Sequence, residues 1–194
     1  MLNKKTGVSL IELIVCMVII SLVVLGFFSV ELFSSYHVIS SERRAKLQND
    51  LSYSLEYMAK YVQQSTGDVN NPPITVYPTS GAQTGFRTHV DLNDPRTPND
   101  LSDDTWVNFY LNGNTLNSLQ DGVTEVLSDK IISNFDNYIM PAAPDKGFYV
   151  YITDQGTAVE IGLVARYYPG SAVSADNPQI AMKTRLVSSG SSAH

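Results

Sequence analysis

The stretch that decides the fold is KKTGVSLIELIVCMVIISLVVLGFFSVELF, residues 4–33. Two lysines and Gly7 stand directly before an apolar run, and from Val8 to Phe33 the only ionisable side chains are Glu12, Cys16 and Glu31. Leu13 to Val30 carries no charge over eighteen residues, about 27 Å of helix and close to the hydrocarbon thickness of a bilayer. That is long enough to cross a membrane. A secretory signal peptide has a shorter apolar run, roughly 7 to 15 residues, ending in a small-x-small cleavage site. The longer run, with no such site after it, predicts a retained anchor. Lys4 and Lys5 on one side are opposed by Arg43, Arg44 and Lys46 on the other, so the positive-inside rule leaves the orientation close to a tie.

Beyond the apolar run nothing stops the helix. No proline precedes Pro72, and between Gly7 and Gly67 the only glycine is Gly26. One helix from Val8 to about Ser65 is predicted, on the order of 85 Å long. Its second half is amphipathic: Leu47, Leu51, Leu55, Met58 and Val62 fall within an arc of about 80° on a helical wheel. That stripe must be buried against something. Tyr53, Tyr57 and Tyr61 flank it and read as a rim with hydroxyls in water. Arg43, Arg44, Lys46, Asp50, Glu56 and Lys60 read as solvated faces.

Ser65 to Pro73 is dense in helix breakers, and after it the period changes from helical to two-fold. Strands are expected at Ile74 to Tyr77, Gly85 to Leu92, Trp106 to Leu111, Thr115 to Leu119, Lys146 to Thr153, Ala158 to Arg166 and Ile180 to Val187. Asn112-Gly113-Asn114 and Asp154 to Thr157 read as hairpin connections, so the sheet should be mainly antiparallel. Val123 to Met140 fits a strand or a short helix. The expected class is α+β, a long N-terminal helix packed by its second half on an antiparallel sheet.

With 194 residues, 43% of them hydrophobic, the chain has room for one domain with a real core plus an appendage. The formal charge of −6, with no basic cluster beyond Arg43, Arg44 and Lys46, lacks the footprint of a nucleic-acid binder. Cys16, the only cysteine, excludes an intramolecular disulfide and reads as a packed, inert thiol. His37, His89 and His194 have no second ligand at metal spacing, and no nucleophile, phosphate-loop or dinucleotide motif occurs, so an enzyme is not expected. Asp91, Asn93, Asp94, Asn99, Asp100, Asp103 and Asp104 crowd one loop with Pro95 and Pro98. The plainer reading is a solvated loop. Oxygen-rich loops can also hold calcium, although the spacing is not that of an EF-hand. No other cofactor is expected.

Gly7 directly before the apolar helix, with Glu12 as the fifth residue after it, resembles the class III prepilin signal of type IV pilins, type II secretion pseudopilins and DNA-uptake pseudopili. The resemblance implies that prepilin peptidase cuts after Gly7 on the cytoplasmic side and usually methylates the new amino terminus at Val8. Residues 1–7 would then be the leader, 8–39 the transmembrane and assembly helix, and 40–194 the globular domain. The family most often has phenylalanine where Val8 stands, and a proline common further along major-pilin helices has no counterpart. Glu12, a carboxylate at membrane depth, would pair with the amino terminus of Val8 in a neighbouring subunit; the plainer alternative is an interfacial bystander. The sequence order after the helix, VNFYLNGNTL at 107–116, AVEIGLVAR at 158–166 and a last strand near MKTRLV at 182–187, is similar to J-type minor pseudopilins and W-type minor pilins, which sit in tip or priming complexes. The absence of a disulfide also leans that way.

Prepilin peptidase, other major and minor pilins or pseudopilins and the bacterial inner membrane are the implied partners. The domain would lie outside the cytoplasm, and the assembled chain in a pilus or pseudopilus. Some pseudopilins bind calcium, which keeps Asp91, Asn93, Asp94, Asp100, Asp103 and Asp104 in view as ligands. The rival from another class is a stand-alone, single-pass, membrane-anchored extracytoplasmic binding or sensor domain.

Overall fold

A computed structural model describes residues 9–68, 70–92, 97, 100, 102–136 and 146–189. One helix, α1 (Leu10–Gln63), runs without interruption for 54 residues, as the absence of breakers predicted; Val8, where it was expected to begin, lies outside the described residues. From Leu10 to Ile39 every side chain is exposed, and Leu10 reaches 81% and Phe27 74%. Among the described residues this half has no packing partner in the core, and it belongs to the one described helix long and apolar enough to cross a membrane. Cys16 is exposed on it, so among the described residues the thiol is not packed as the sequence suggested.

The second half of α1 is held by its stripe. Leu47, Leu51, Leu55, Met58 and Val62 are all buried, because one face in every turn is apolar. Ser54 shares that face and satisfies its hydroxyl by donating to Asp50 O at 2.8 Å. At the C-terminal end, carbonyls that lack intrahelical donors are met from elsewhere in the chain. The Ser189 hydroxyl donates to Gln63 O, and Ser188 Oγ donates to Ser65 O at 2.8 Å.

A first sheet contains β1 (Ile74–Tyr77), β2 (Gly85–Val90), β3 (Thr105–Asn112), β4 (Thr115–Gln120) and β5 (Val123–Ser128), antiparallel in that order. A second contains β6 (Phe135–Asp136), β7 (Phe148–Thr153), β8 (Ala158–Arg166) and β9 (Gln179–Val187). In it β6 pairs with β7 in parallel, and the other pairs are antiparallel. The expected single sheet is thus two. The hand-over occurs just after β5: Ile131 bridges Ala165, Ile132 N–H donates to Val164 O, and Arg166 N–H to Lys130 O. The ambiguous stretch from Val123 therefore resolves into β5 and the short β6, while 137–140 lie outside the described residues.

Helix α1 touches β9, β5, β8 and β2, and so lies on both sheets. The Phe86 and Phe148 rings meet 6.4 Å apart between the sheets, within one continuous core. Close approach demands glycine at several positions, Gly162 and Gly156 among them. Tyr149, opposite Gly162 in the β7–β8 register, lays its ring where a side chain would stand: an added Cβ would fall 1.6 Å from Tyr149 Cζ. Gly156 ends the 3-10 turn between β7 and β8 with φ +86° and packs on Pro72 and Ile74, a conformation that favours glycine.

Candidate functional site

Gly7 and Val8, the expected cleavage pair, lie outside the described residues. Glu12 is described, and it closes the first turn of α1. Ser9 N–H donates to Glu12 Oε2 at 2.9 Å, and Glu12 N–H donates to Ser9 Oγ at 3.3 Å, a reciprocal capping box that satisfies two orphan amides. The Ser-x-x-Glu spacing at 9–12 was the signal, overlooked because only the charge of Glu12 was weighed. Among the described residues Glu12 forms no salt bridge.

Where α1 leaves the apolar region, Arg43 is not the solvated residue expected. Its guanidinium lies 4.9 Å from the ring centre of Tyr167 and 5.6 Å from that of Tyr168. It also donates to Asp176 O, with the Asp176 carboxylate at 4.0 Å. The segment it grips, between β8 and β9, is organised by buried Asn177. The Asn177 Oδ1 accepts from Tyr168 N–H at 2.7 Å, while its Nδ2 donates to Ala172 O at 2.9 Å and Tyr168 O at 3.1 Å. Sequence pattern could not pair residues so far apart in the chain. Arg44, one position on, is exposed.

The tyrosines also differ from the expected rim. Tyr53 is exposed, but Tyr61 is buried and donates to Gln120 Oε1 at 3.2 Å, and Tyr57 donates to Glu125 Oε2 at 2.7 Å. Burial, then Tyr61 and Glu125, hold the Tyr57 phenol well above its ordinary range. These two hydroxyls tie α1 to the β4–β5 hairpin.

At the far end of α1 is a buried polar cluster that sequence did not reveal. Thr66 N–H donates to His89 O at 2.9 Å and Thr66 Oγ1 to Asp104 Oδ2 at 2.6 Å. The His89 Nδ1 sits 3.4 Å from Asp104 Oδ2, and its ring stacks on Trp106 at 4.4 Å. Arg87 covers the same indole at 3.9 Å. Burial lowers the His89 pKa, Asp104 opposes that shift, and Arg87 reinforces it. The imidazole is therefore predominantly neutral at pH 7.

The acidic loop is less solvated than its composition implied. Asp91 is buried and the Asp104 side chain is 1% exposed; Asp91 Oδ2 accepts Thr97 N–H at 2.5 Å, and Asp103 Oδ2 accepts the Thr97 hydroxyl at 2.8 Å. Ser102 donates twice to Asp100, which holds that carboxyl below its usual range. Asn93, Asp94 and Asn99 lie outside the described residues. Among the described residues no group of three or more His, Cys, Asp or Glu is arranged to hold a metal ion.

No curated protein and no solved structure matches the chain. Residues 2–28 match the family model described as the prokaryotic N-terminal methylation motif, and the match spans Gly7, Val8, Glu12 and most of the bare apolar helix. Over those residues the chain therefore carries the methylation motif, the class III prepilin signal, and is similar there to type IV pilins and pseudopilins.

Proposed function

We propose that this chain is a minor subunit, at the tip or in a priming complex, of a type IV pilus or type II secretion pseudopilus. It is cut between Gly7 and Val8, with residues 8–39 as anchor and assembly helix and 40–194 as the extracytoplasmic domain. The observation that carries the reading is an apolar half-helix left bare by a domain whose own core is complete, placed directly behind the methylation motif. The single cysteine and the uninterrupted helix support the minor class.

Glu12 is the assembly carboxylate. After cleavage the Val8 amine is protonated near neutral pH, and both charges are costly in lipid unless paired. Pairing Glu12 of one subunit with the Val8 amine of the next favours a fixed axial register, while the apolar faces supply most of the cohesion.

The capping box makes the test sharper. Glu12→Gln keeps an acceptor for Ser9 N–H but loses the charge, whereas Ser9→Ala loses one arm of the cap and keeps the charge. Intact mass of membrane-derived protein should show every variant beginning at Val8. Cross-linking to partner pilins should be poor for Glu12→Gln and Glu12→Leu and near wild type for Ser9→Ala. Wild-type cross-linking of Glu12→Leu would make Glu12 an interfacial bystander. A leader retained despite active prepilin peptidase would favour the stand-alone anchored domain.

A further inference from the structure

Among the described residues the two sheets have four edge strands, and three of them are guarded. β1 is four residues long and runs into Pro78, β6 has only two residues, and β9 carries Lys183 and Arg185 and lies against α1. Short length, proline, lysine and a covering element are the usual protections of an edge. β5 lacks them from Val123 to Val126: all four residues are exposed, Val123 at 70% and Val126 at 57%. Helix α1 reaches the β5 backbone at Leu127, whose carbonyl accepts from Ser54 Oγ at 3.4 Å.

The register identifies the free groups. Asp121 and Gly122 both have positive φ, 49° and 78°, the two-residue turn that makes Gln120 and Val123 a hydrogen-bonded pair. Such pairs alternate along an antiparallel ladder. With Leu119 opposite Thr124, Ser118 opposite Glu125 and Asn117 opposite Val126, β4 uses the amides and carbonyls of Val123 and Glu125, while those of Thr124 and Val126 point outward. Among the described residues neither Thr124 nor Val126 makes a backbone hydrogen bond outside the ladder. Two donors and two acceptors therefore lie about 7 Å apart along an exposed strand, enough to pair with one more.

Charge narrows the occupant. Glu125 is exposed, accepts the Tyr57 hydroxyl at Oε2, and forms no salt bridge among the described residues. A second copy paired antiparallel through both free residues would set Thr124 opposite Val126, and so Glu125 opposite its own counterpart. Like charges directly opposite are destabilising. A different strand, with lysine or arginine opposite Glu125 and β-branched residues beside Val123 and Val126, fits instead. Position points the same way. β5 runs beside the buried half of α1 at Ser54 and Tyr57, and that half continues the bare half without a break. Subunits laid side by side along their bare helices would bring one body within reach of another's β5.

We propose that the free edge of β5 docks an extended, basic strand of an adjacent, non-identical pilin subunit, which widens the five-stranded sheet to six. The inference rests on the reading of the chain as one subunit of a mixed pilin assembly. The bare helix then supplies cohesion, and the β5 edge selects the neighbour.

The test uses the full chain in its own membranes, with a photoreactive side chain in place of Val126 and, in a separate protein, in place of Leu22 on the bare half. The Val126 probe should cross-link to a protein that itself carries a prepilin signal, and the adduct should map to a segment containing lysine or arginine. Glu125→Lys should lower the yield about fivefold, and a reciprocal change of the mapped basic residue to glutamate should restore it. Thr124→Pro removes one outward amide and no ladder bond, so it should also lower the yield about fivefold while the melting temperature of the detergent-solubilised chain stays at the wild-type value. A Val126 probe that captures a second copy of this chain, or nothing, while the Leu22 probe captures pilins would overturn the proposal and leave the pilin reading standing. An undiminished yield from Glu125→Lys would overturn it as well. Failure of both probes to reach any pilin would overturn the proposal together with the reading it rests on.

Discussion

His89 is a buried titratable group that ties strand β2 to the residues just past α1. Facing it are Asp104, Arg87, the Trp106 ring and Thr66. Its folded pKa lies below the ordinary value of about 6.5, so the unfolded chain takes up the proton first as pH falls. Above that value neither state is protonated and the group adds no pH dependence. Below it stability drains away until the folded pKa is passed. The melting temperature of the detergent-solubilised chain should therefore fall between pH 7 and pH 5, and His89→Gln should flatten that slope. Asn177 allows a second prediction at this scale. Asn177→Asp puts an acceptor where the amide now donates to Ala172 O and Tyr168 O, which should cost about 2 kcal/mol or more. The β8–β9 segment should then exchange amide protons faster while the core strands stay protected.

Helix α1 is two elements in one, and substitutions should separate them. Leu51→Ala opens a cavity under a fully buried side chain and should destabilise the domain by about 2–5 kcal/mol. Leu22→Ala, 64% exposed on the bare half, should leave the melting temperature unchanged. In the second sheet Gly162→Val must displace the Tyr149 ring, and a melting temperature equal to wild type would contradict the close packing described. Much of this was legible in the residues. The stripe from Leu47 to Val62 announced itself by its spacing, and Asn112-Gly113-Asn114 by its turn chemistry. The division into two sheets was not, because alternation reveals a pleated strand but not its neighbour. Ile131 could meet Ala165 only once the chain had turned at Asp129 and Lys130. Tyr61 and Arg43 were misplaced for a related reason: hydroxyl and guanidinium groups enter a core when a distant segment offers partners. The methylation motif was legible because it is local, at residues 2–28, and contacts assembled from distant parts, as at Arg43 and Asp176, were not.

As a whole, the molecule joins a half-helix exposed from Leu10 to Ile39 to a packed body, and the proposed boundary at about Ser40 can be tested directly. The buried stripe begins only at Leu47, so a fragment starting at Ser40 should be soluble, monomeric and cooperative on melting. A molten or obligately aggregated fragment would show that the stripe belongs to another subunit. Because α1 passes from the bare half to the buried half without a break, the number of residues between them sets the compass heading of the body around the membrane normal. One alanine inserted after Phe33 would turn the body about 100° and lift it about 1.5 Å while leaving the span and the core intact. Four would bring it back to within about 40° of its original azimuth. Assembly should then fail with the first insertion and recover in part with the second, as for a key whose teeth are intact but whose shaft has been twisted.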